Sequence, residues 1–187
     1  MALPSLLLSF SRMASKTGSM ILLMAATTFA PVARAGPTPG QVVDRLFDAY
    51  RDGSAEGMLA VYAADATFED INQRHRFTGT EQLQAMLAGI VGLHLRMDLD
   101  EKRRVVDGHM VVVEYEYRGQ LNGAALGASV GKQGCPDLDY VLQTTSWYEV
   151  QKGKIVHQKD FTDWATFLDL RQQLLAGGAP STEDGSR

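Results

Sequence analysis

Cysteine is nearly absent from this 187-residue sequence, which holds only Cys135. A single cysteine excludes an internal disulfide. Because it lies in a glycine-rich stretch with no histidine beside it, we interpret it as a buried or idle thiol rather than a nucleophile.

The four histidines show no spacing typical of metal ligands, so no metal site is expected. His94 and His157 have charged neighbours, and we predict that both face solvent.

Long runs of basic residues are also missing, which argues against nucleic acid and anionic membrane as partners. The sequence has 18 basic and 22 acidic residues. Residues 1–35 contain three of the basic residues, Arg12, Lys16 and Arg34, and no acid. Without that segment, 15 basic residues remain against 22 acidic ones, a net charge of −7.

An apolar run near the N-terminus, Met20 to Val32, has the length of a signal-peptide core and is too short for a good membrane span. Ala-Arg-Ala at 33–35 then offers small residues for cleavage. We therefore predict a secretory signal peptide at 1–35, with Met13 as an alternative true start. The expected location is secreted or periplasmic, with no membrane association beyond export. An uncleaved N-terminal anchor is the alternative.

The apolar pattern changes from a helical period to a period of two near residue 93. Before it, the spacing predicts three helices, at 41–53, 54–65 and 78–92, and one short strand at 66–70. Ser54 is the expected N-cap of the second helix, and Thr78 and Glu81 have the spacing of a capping box for the third. After residue 93, the alternation predicts long strands, with a turn at Asp107-Gly108 and a final hairpin.

Segments 71–77 and 122–139 are predicted as loops, and a helix follows residue 163. Helices followed by a run of antiparallel strands predict an α+β fold, with helices packed on one face of the sheet. A strongly twisted sheet of this kind wraps around the N-terminal helices as a cone. The open end of such a cone is expected to hold a pocket.

Three segments resemble the nuclear transport factor 2-like superfamily, in particular its SnoaL-like and limonene-epoxide-hydrolase-like branches. They are 42–70, 77–87 and the closing motif Gly-Lys-Ile-Val-His-Gln-Lys-Asp-Phe-Thr-Asp at 153–163. The resemblance implies a SnoaL-like domain at 41–176, after a linker at 36–40 and before a disordered tail at 177–187. It also implies no cofactor and a homodimer formed through the sheet. The superfamily contains isomerases, cyclases, hydrolases and non-catalytic modules, so it leaves the reaction open.

The resemblance also suggests site residues. Counting back from Gly-Lys-Ile places the second acid of the epoxide-hydrolase Asp-Arg-Asp triad on Asp160. Counting forward without a gap from the Asp107-Gly108 turn places the Arg-x-Asp of that triad on Glu114 and Glu116. The family's Tyr-x-Asn falls on Phe68 and Asp70. Because an acid stands where the triad arginine is expected, epoxide opening is disfavoured.

From these positions we predict catalytic roles for Asp160, Glu116 and Asp70. Helix capping by Asp160 is the alternative, although Asp163 is the better candidate for the cap. A solvent-facing position is the alternative for Glu114 and Glu116, because they alternate with Tyr115 and Tyr117. The predicted substrate contacts are Tyr50, Phe68, Glu114, Trp147 and Gln158.

The predicted function is an exported domain with a hydrophobic pocket for a small apolar molecule. Cofactor-free acid–base chemistry of cyclase, isomerase or hydrolase type is the leading hypothesis. A non-catalytic periplasmic ligand-binding or assembly module is the alternative. An enzyme requires at least two polar groups that converge on one point of the pocket.

Overall fold

The computed structural model describes residues 36–129 and 131–176. The predicted signal peptide at 1–35 and tail at 177–187 lie outside these residues. In chain order the elements are α1 Pro39–Arg51, α2 Ala55–Leu59, β1 Tyr62–Asp70, β2 His75–Thr78, α3 Gly79–Leu93, β3 His94–Asp107, β4 Met110–Leu121, α4 Gly123–Ser129, β5 Leu138–Gln151, β6 Lys154–Thr162 and α5 Trp164–Ala176.

The six strands form one curved, unclosed sheet in the order β2-β1-β6-β5-β4-β3. Neighbouring strands are antiparallel except β1 and β6, which run parallel. The main core lies between the inner face of the sheet and α1, α2 and α3. The α+β prediction, with a curved sheet around N-terminal helices, is confirmed.

Helix α1 is amphipathic, and its apolar side packs on the sheet. Its buried residues recur at helical spacing: Val42, Val43, Leu46, Phe47, Ala49 and Tyr50. Thr38 begins the helix with a reciprocal cap, in which its Oγ1 accepts from Gln41 N at 3.3 Å and Gln41 Oε1 accepts from Thr38 N at 2.9 Å. The helix therefore fixes the position of Tyr50 in its last turn.

The predicted helix starts are partly correct. Ser54 Oγ accepts from Gly57 N at 2.9 Å, and Asp163 Oδ1 accepts from Thr166 N at 3.3 Å at the start of α5. The capping box predicted at Thr78 and Glu81 is wrong, because the Thr78 side chain makes no cap bond. Gln82 Oε1 accepts from Thr78 N at 2.9 Å instead.

Two short elements lie where loops were predicted. Strand β2 has only four residues, and its pairing with β1 is not encoded in local apolar alternation. Helix α4 lies in the glycine-rich stretch, where a Cβ on Gly127 would lie 2.5 Å from the Lys132 carbonyl oxygen. Glycine is required there for close backbone approach rather than for a loop. Among residues 36–129 and 131–176, no helix has the length and apolarity needed to span a membrane.

Candidate functional site

A cavity of about 370 Å³ lies between the inner face of the sheet and helices α1, α3 and α5. This volume is within the range of small-molecule sites. Most of its wall is aromatic or aliphatic, from Phe68, Phe77, Met86, Ile90, Leu99, Leu142 and Phe167. Polar groups come from Tyr50, Asp70, Gln73, His75, His94, Tyr117, Tyr140, Asp160, Thr162 and Trp164. No arginine or lysine lines this cavity in the part of the chain that the structure describes.

Asp70 and Asp160 lie side by side at the ends of β1 and β6. These strands are parallel, and the two acids are direct register partners. Side chains of paired residues on adjacent strands project from the same face. Both carboxyl groups therefore reach the cavity wall, although 90 residues separate them in the sequence.

Asp160 is buried, with one of its carboxyl oxygens held by two donors. Its Oδ1 accepts from Ser146 Oγ at 2.6 Å and from Gln158 Nε2 at 2.8 Å. The Tyr115 hydroxyl donates in turn to Ser146 Oγ at 2.9 Å, and the Tyr62 hydroxyl donates to Gln158 Oε1. The other oxygen, Oδ2, has no hydrogen-bond partner among the described residues. The network fixes the carboxyl group and leaves one oxygen for a ligand.

Burial raises the pKa of Asp160 to about 6, because the charged form loses its hydration. The nearby negative charge of Asp70 raises it further, whereas the hydrogen bonds from Ser146 and Gln158 lower it. A carboxyl group with this pKa changes protonation near neutral pH. It can therefore accept and return a proton under ordinary conditions.

Asp70 is held differently, because both of its oxygens accept hydrogen bonds. Gln73 N donates to Oδ1 at 2.9 Å, and Gln73 Nε2 and Trp164 Nε1 donate to Oδ2 at 3.1 and 2.8 Å. All three donors are N–H groups, as suits an acceptor-only carboxylate. Trp164 was not predicted as a site residue. The sequence places it one residue after the Asp163 cap, but nothing local shows that its indole reaches β1.

Tyr50 lies on the buried side of α1 and lines the cavity. Its hydroxyl has no hydrogen-bond partner in the described part of the chain. Burial raises its pKa, and the negative charge of Asp160 and the nearby Tyr140 raise it further. Tyr50 is therefore a neutral hydrogen-bond donor close to Asp160.

His94 lines the cavity beside Tyr117 and Tyr140, so the prediction that it faces solvent is wrong. Its Nδ1 donates to the Ile90 carbonyl oxygen at 2.6 Å. Burial lowers its pKa, although that hydrogen bond opposes the shift. The imidazole is therefore neutral near pH 7, with the proton on Nδ1. His157 is also half-buried, with Nε2 at 3.1 Å from Glu69 Oε2.

Glu114 and Glu116 lie on the outer face of the sheet, away from the cavity, which corrects their predicted place in the pocket. Glu116 contacts Arg118, Lys102 at 3.3 Å and Gln143 at 3.2 Å. The tyrosines of the same strand, Tyr115 and Tyr117, face inward instead. The ungapped count from the Asp107-Gly108 turn therefore selected the wrong face of β4, as a displacement by an odd number of residues does.

The remaining predicted contacts divide between two environments. Phe68 lines the cavity, where the resemblance implied. Gln158 is buried but acts on Asp160 rather than lining the cavity. Trp147 is 47% exposed on the outer face, with its ring 6.2 Å from that of Phe161, so its predicted place in the pocket is corrected as well. In residues 36–129 and 131–176, no group of three His, Cys, Asp or Glu side chains is arranged to hold a metal ion.

Comparisons with known proteins agree with this fold. The family model of the SnoaL-like domain matches residues 43–158. A search of curated proteins finds no match. A protein from Shewanella denitrificans OS-217, assigned as a SnoaL-like polyketide cyclase, superposes with a TM-score of 0.63 at 20% identity, covering 72% of this chain and 97% of its own.

Two further solved structures are similar. One is a protein with a ketosteroid isomerase-like fold from Catenulispora acidiphila DSM 44928, with a TM-score of 0.60, 19% identity, and coverage of 77% of this chain and 100% of its own. The other, from Pseudomonas putida KT2440, is assigned as a polyketide cyclase and has a TM-score of 0.59, 22% identity, and coverage of 72% and 98%. At these identities the likeness establishes the fold alone. Since the family match spans more than half of the sequence, the chain belongs to the SnoaL-like domain family.

Proposed function

We propose that the protein is a cofactor-independent enzyme of isomerase or cyclase type that acts on a small, largely apolar carbonyl compound. The observation that carries this proposal is Asp160, which is buried and fixed through Oδ1 while Oδ2 has no hydrogen-bond partner within residues 36–129 and 131–176. The mainly apolar cavity wall supports an apolar substrate. The names of the similar structures, polyketide cyclase and ketosteroid isomerase-like, agree with this reaction class.

The proposed reaction begins with Asp160 as a general base. Its Oδ2 takes a proton from the carbon next to the substrate carbonyl, the electron pair of that C–H bond forms a carbon–carbon double bond, and the carbonyl π electrons move to the oxygen. The Tyr50 hydroxyl donates a hydrogen bond to the resulting enolate oxygen. In an isomerase, Asp160 returns the proton to another carbon. In a cyclase, the enolate carbon attacks a second carbonyl group of the same molecule, and Asp160 returns the proton to the alkoxide oxygen that forms there.

Asp70 is proposed to support Asp160 rather than to transfer the proton. Both Asp70 oxygens already accept hydrogen bonds, so the group is less available to a substrate. Its negative charge raises the pKa of Asp160. Two carboxyl groups in one site, held differently, can thus divide charge and proton transfer between them.

An epoxide-opening reaction has less support. The family uses an arginine between its two acids, and the position matched to that arginine holds Glu114, which is exposed on the outer face. A non-catalytic binding module would share the cavity but would not need a carboxyl group with a pKa near 6. Turnover that depends on Asp160 would therefore distinguish an enzyme from a binding module.

The test measures deuterium incorporation next to the carbonyl of model ketones, including 1-tetralone and 6-hydroxy-1-tetralone, in D₂O by mass spectrometry. We expect the protein to accelerate exchange and Asp160→Asn to lower the rate by roughly 10²–10⁴-fold, the usual contribution of a general base. Asp163→Asn is the matched control, because Asp163 caps α5 outside the cavity and asparagine caps nearly as well. Ketones that bind without exchange in the unmodified protein would support the binding module instead.

A further inference from the structure

A second polar cluster lies in the same cavity, formed by His94 with Tyr117 and Tyr140. The His94 ring is 5.9 Å from the Tyr117 ring and 5.6 Å from the Tyr140 ring, and the two tyrosine rings meet edge to face at 5.6 Å. The hydroxyls of both tyrosines are buried and lie near each other, and no other described residue offers them a hydrogen-bond partner. Buried polar groups with incomplete hydrogen bonding are uncommon in proteins and call for an explanation.

This cluster is separated from the acid pair along strand β5. Tyr140 precedes Ser146 by six residues, and Ser146 is the register partner of Asp160. At ~3.3 Å per residue the two positions are up to about 20 Å apart along the strand. The cavity therefore has polar groups at two places, with Leu142 and Phe167 on the wall and the Tyr50 side chain near both groups.

The hydrogen bonding of His94 determines what it can bind. A carbonyl oxygen can only accept, so the bond to Ile90 O assigns the imidazole proton to Nδ1. Nε2 of the neutral ring is then an acceptor, and it has no partner in the part of the chain that the structure describes. A ligand group facing Nε2 must be a donor. A hydroxyl fits this requirement, whereas a carbonyl oxygen or a methyl ether does not.

We propose that His94 is a specificity-determining residue that accepts a hydrogen bond through Nε2 from a hydroxyl of the ligand, with the rings of Tyr117 and Tyr140 packed against the imidazole. The ligand is then a flat, mostly apolar molecule that carries a phenol or enol hydroxyl away from its reacting carbonyl. This inference rests on the proposed function only in placing the substrate in this cavity. The flanking tyrosines provide aromatic surface for the ring that bears the hydroxyl.

Tyr140 is held in place by a close approach to the backbone. A Cβ on Gly119 would lie 2.6 Å from Tyr140 Cζ and 2.7 Å from the Arg96 carbonyl oxygen. Only glycine leaves room for the phenol at this point of β4. Glycine at position 119 therefore allows the Tyr140 side chain to lie beside His94.

The experiment compares the binding of 6-hydroxy-1-tetralone and its methyl ether, 6-methoxy-1-tetralone, at pH 6, where the phenol is un-ionised. Because the ether leaves Nε2 unpaired, we expect it to bind about tenfold to a hundredfold more weakly than the phenol. His94→Phe keeps an aromatic ring packed on the tyrosines and should remove the difference in affinity between the phenol and the ether. His109→Phe is the control, since His109 is exposed in the β3–β4 hairpin beside Glu149, and this variant should keep that difference in affinity.

A second readout is the ¹⁵N resonance of His94 Nε2, which should shift on addition of the phenol and not of the ether. Equal affinities for the two probes, including no detectable binding of either, would overturn the proposal, as would a preference that survives in His94→Phe. Binding is measured here without turnover. Tighter binding of the phenol without deuterium exchange would support the role of His94 and contradict the proposed reaction. Deuterium exchange without tighter binding of the phenol would support the reaction and contradict the role of His94.

Discussion

At the residue scale, the site depends on the different surroundings of two neighbouring aspartates. Asp70 accepts three N–H donors shared over both oxygens. Asp160 accepts two donors on one oxygen and lies near Tyr50, Tyr62 and Tyr115, whose pKa values are raised by burial and, to a smaller extent, by the charge of Asp160. The pKa of Asp160 is about 6 because burial outweighs its two hydrogen bonds. Because the pKa is raised, ionisation of Asp160 lowers the free energy of unfolding.

We predict that Asp160→Asn becomes stabilising as the pH rises from 4 to 7. The folded-state pKa of about 6 lies above the ordinary value of 3.8, so protonated Asp160 favours the folded state below pH 4. That contribution is lost as the pH passes through 6. At 1.36 kcal/mol per pK unit, the difference in unfolding free energy between the variant and the unmodified protein should grow by about 2.4 kcal/mol over this range, because Asp160 in the unfolded chain is already partly ionised at pH 4.

Urea unfolding at pH 4, 5, 6 and 7 measures this difference. Asparagine keeps an oxygen that can accept from Ser146 and Gln158, so the network survives the substitution. Asp163→Asn is again the control, because the hydrogen bonds from Thr166 lower the pKa of Asp163 and give its contribution the opposite dependence on pH. A stability difference for Asp160→Asn that stays constant from pH 4 to pH 7 would show that Asp160 titrates normally.

At the element scale, sequence patterns predicted the individual helices and strands better than their pairing. Local signals located α1, α3 and the final hairpin, because amphipathic spacing and turn residues act over a few positions. The parallel pairing of β1 with β6, which brings Asp70 to Asp160, joins distant segments and has no local signal. The alternation of Glu and Tyr along β4 left two faces open, and the count from the family motif favoured Glu116 inside, whereas Tyr115 and Tyr117 line the cavity. For the same reason His94, at the junction of α3 and β3, was not recognised as a cavity residue.

Helix α5 is attached to the rest of the site through Trp164. The indole Nε1 donates to Asp70 Oδ2 at 2.8 Å, and the Trp164 ring packs edge to face on Phe167 at 4.8 Å. Both side chains line the cavity. The position of α5 therefore depends on one hydrogen bond to a carboxylate and on aromatic contacts.

We predict that Trp164→Phe lowers the unfolding free energy by about 1–2 kcal/mol, because a hydrogen bond to a charged group is lost while ring packing is kept. Amide hydrogen exchange should become faster in α5 than in the strands. Hydrogen-exchange mass spectrometry and urea unfolding measure the two effects. Trp147→Phe is the control, since the second tryptophan of the chain is half-exposed on the outer face and donates to none of the residues that the structure describes. Equal changes in the two variants would mean that the Asp70 bond does not hold α5.

At the scale of the whole molecule, the outer face of the sheet carries apolar side chains that the fold itself does not cover. Trp147, Phe161 and Val141 are 47%, 41% and 46% exposed, and the Trp147 and Phe161 rings are neighbours. Glu114 and Lys159 lie on the same face, and Lys159 is the register partner of Trp147. An apolar centre with a polar rim is typical of protein interfaces. The superfamily resemblance implies a dimer through the sheet, and we propose that this face forms it.

We predict that the purified protein is a homodimer at micromolar concentration and that Trp147→Glu weakens dimerisation by about 30-fold or more, as expected for a buried tryptophan at an interface. The substitution should leave the fold intact, because the Trp147 side chain is half-exposed within one subunit. Residues 36–187 have a net charge of −7, so salt should strengthen the association by screening repulsion between subunits. Sedimentation velocity at two salt concentrations measures both effects. Leu168→Glu, with a matched exposure of 48% on α5, is the control and should remain dimeric. A monomer at 100-micromolar concentration, or equal weakening by the two substitutions, would exclude this face as the interface.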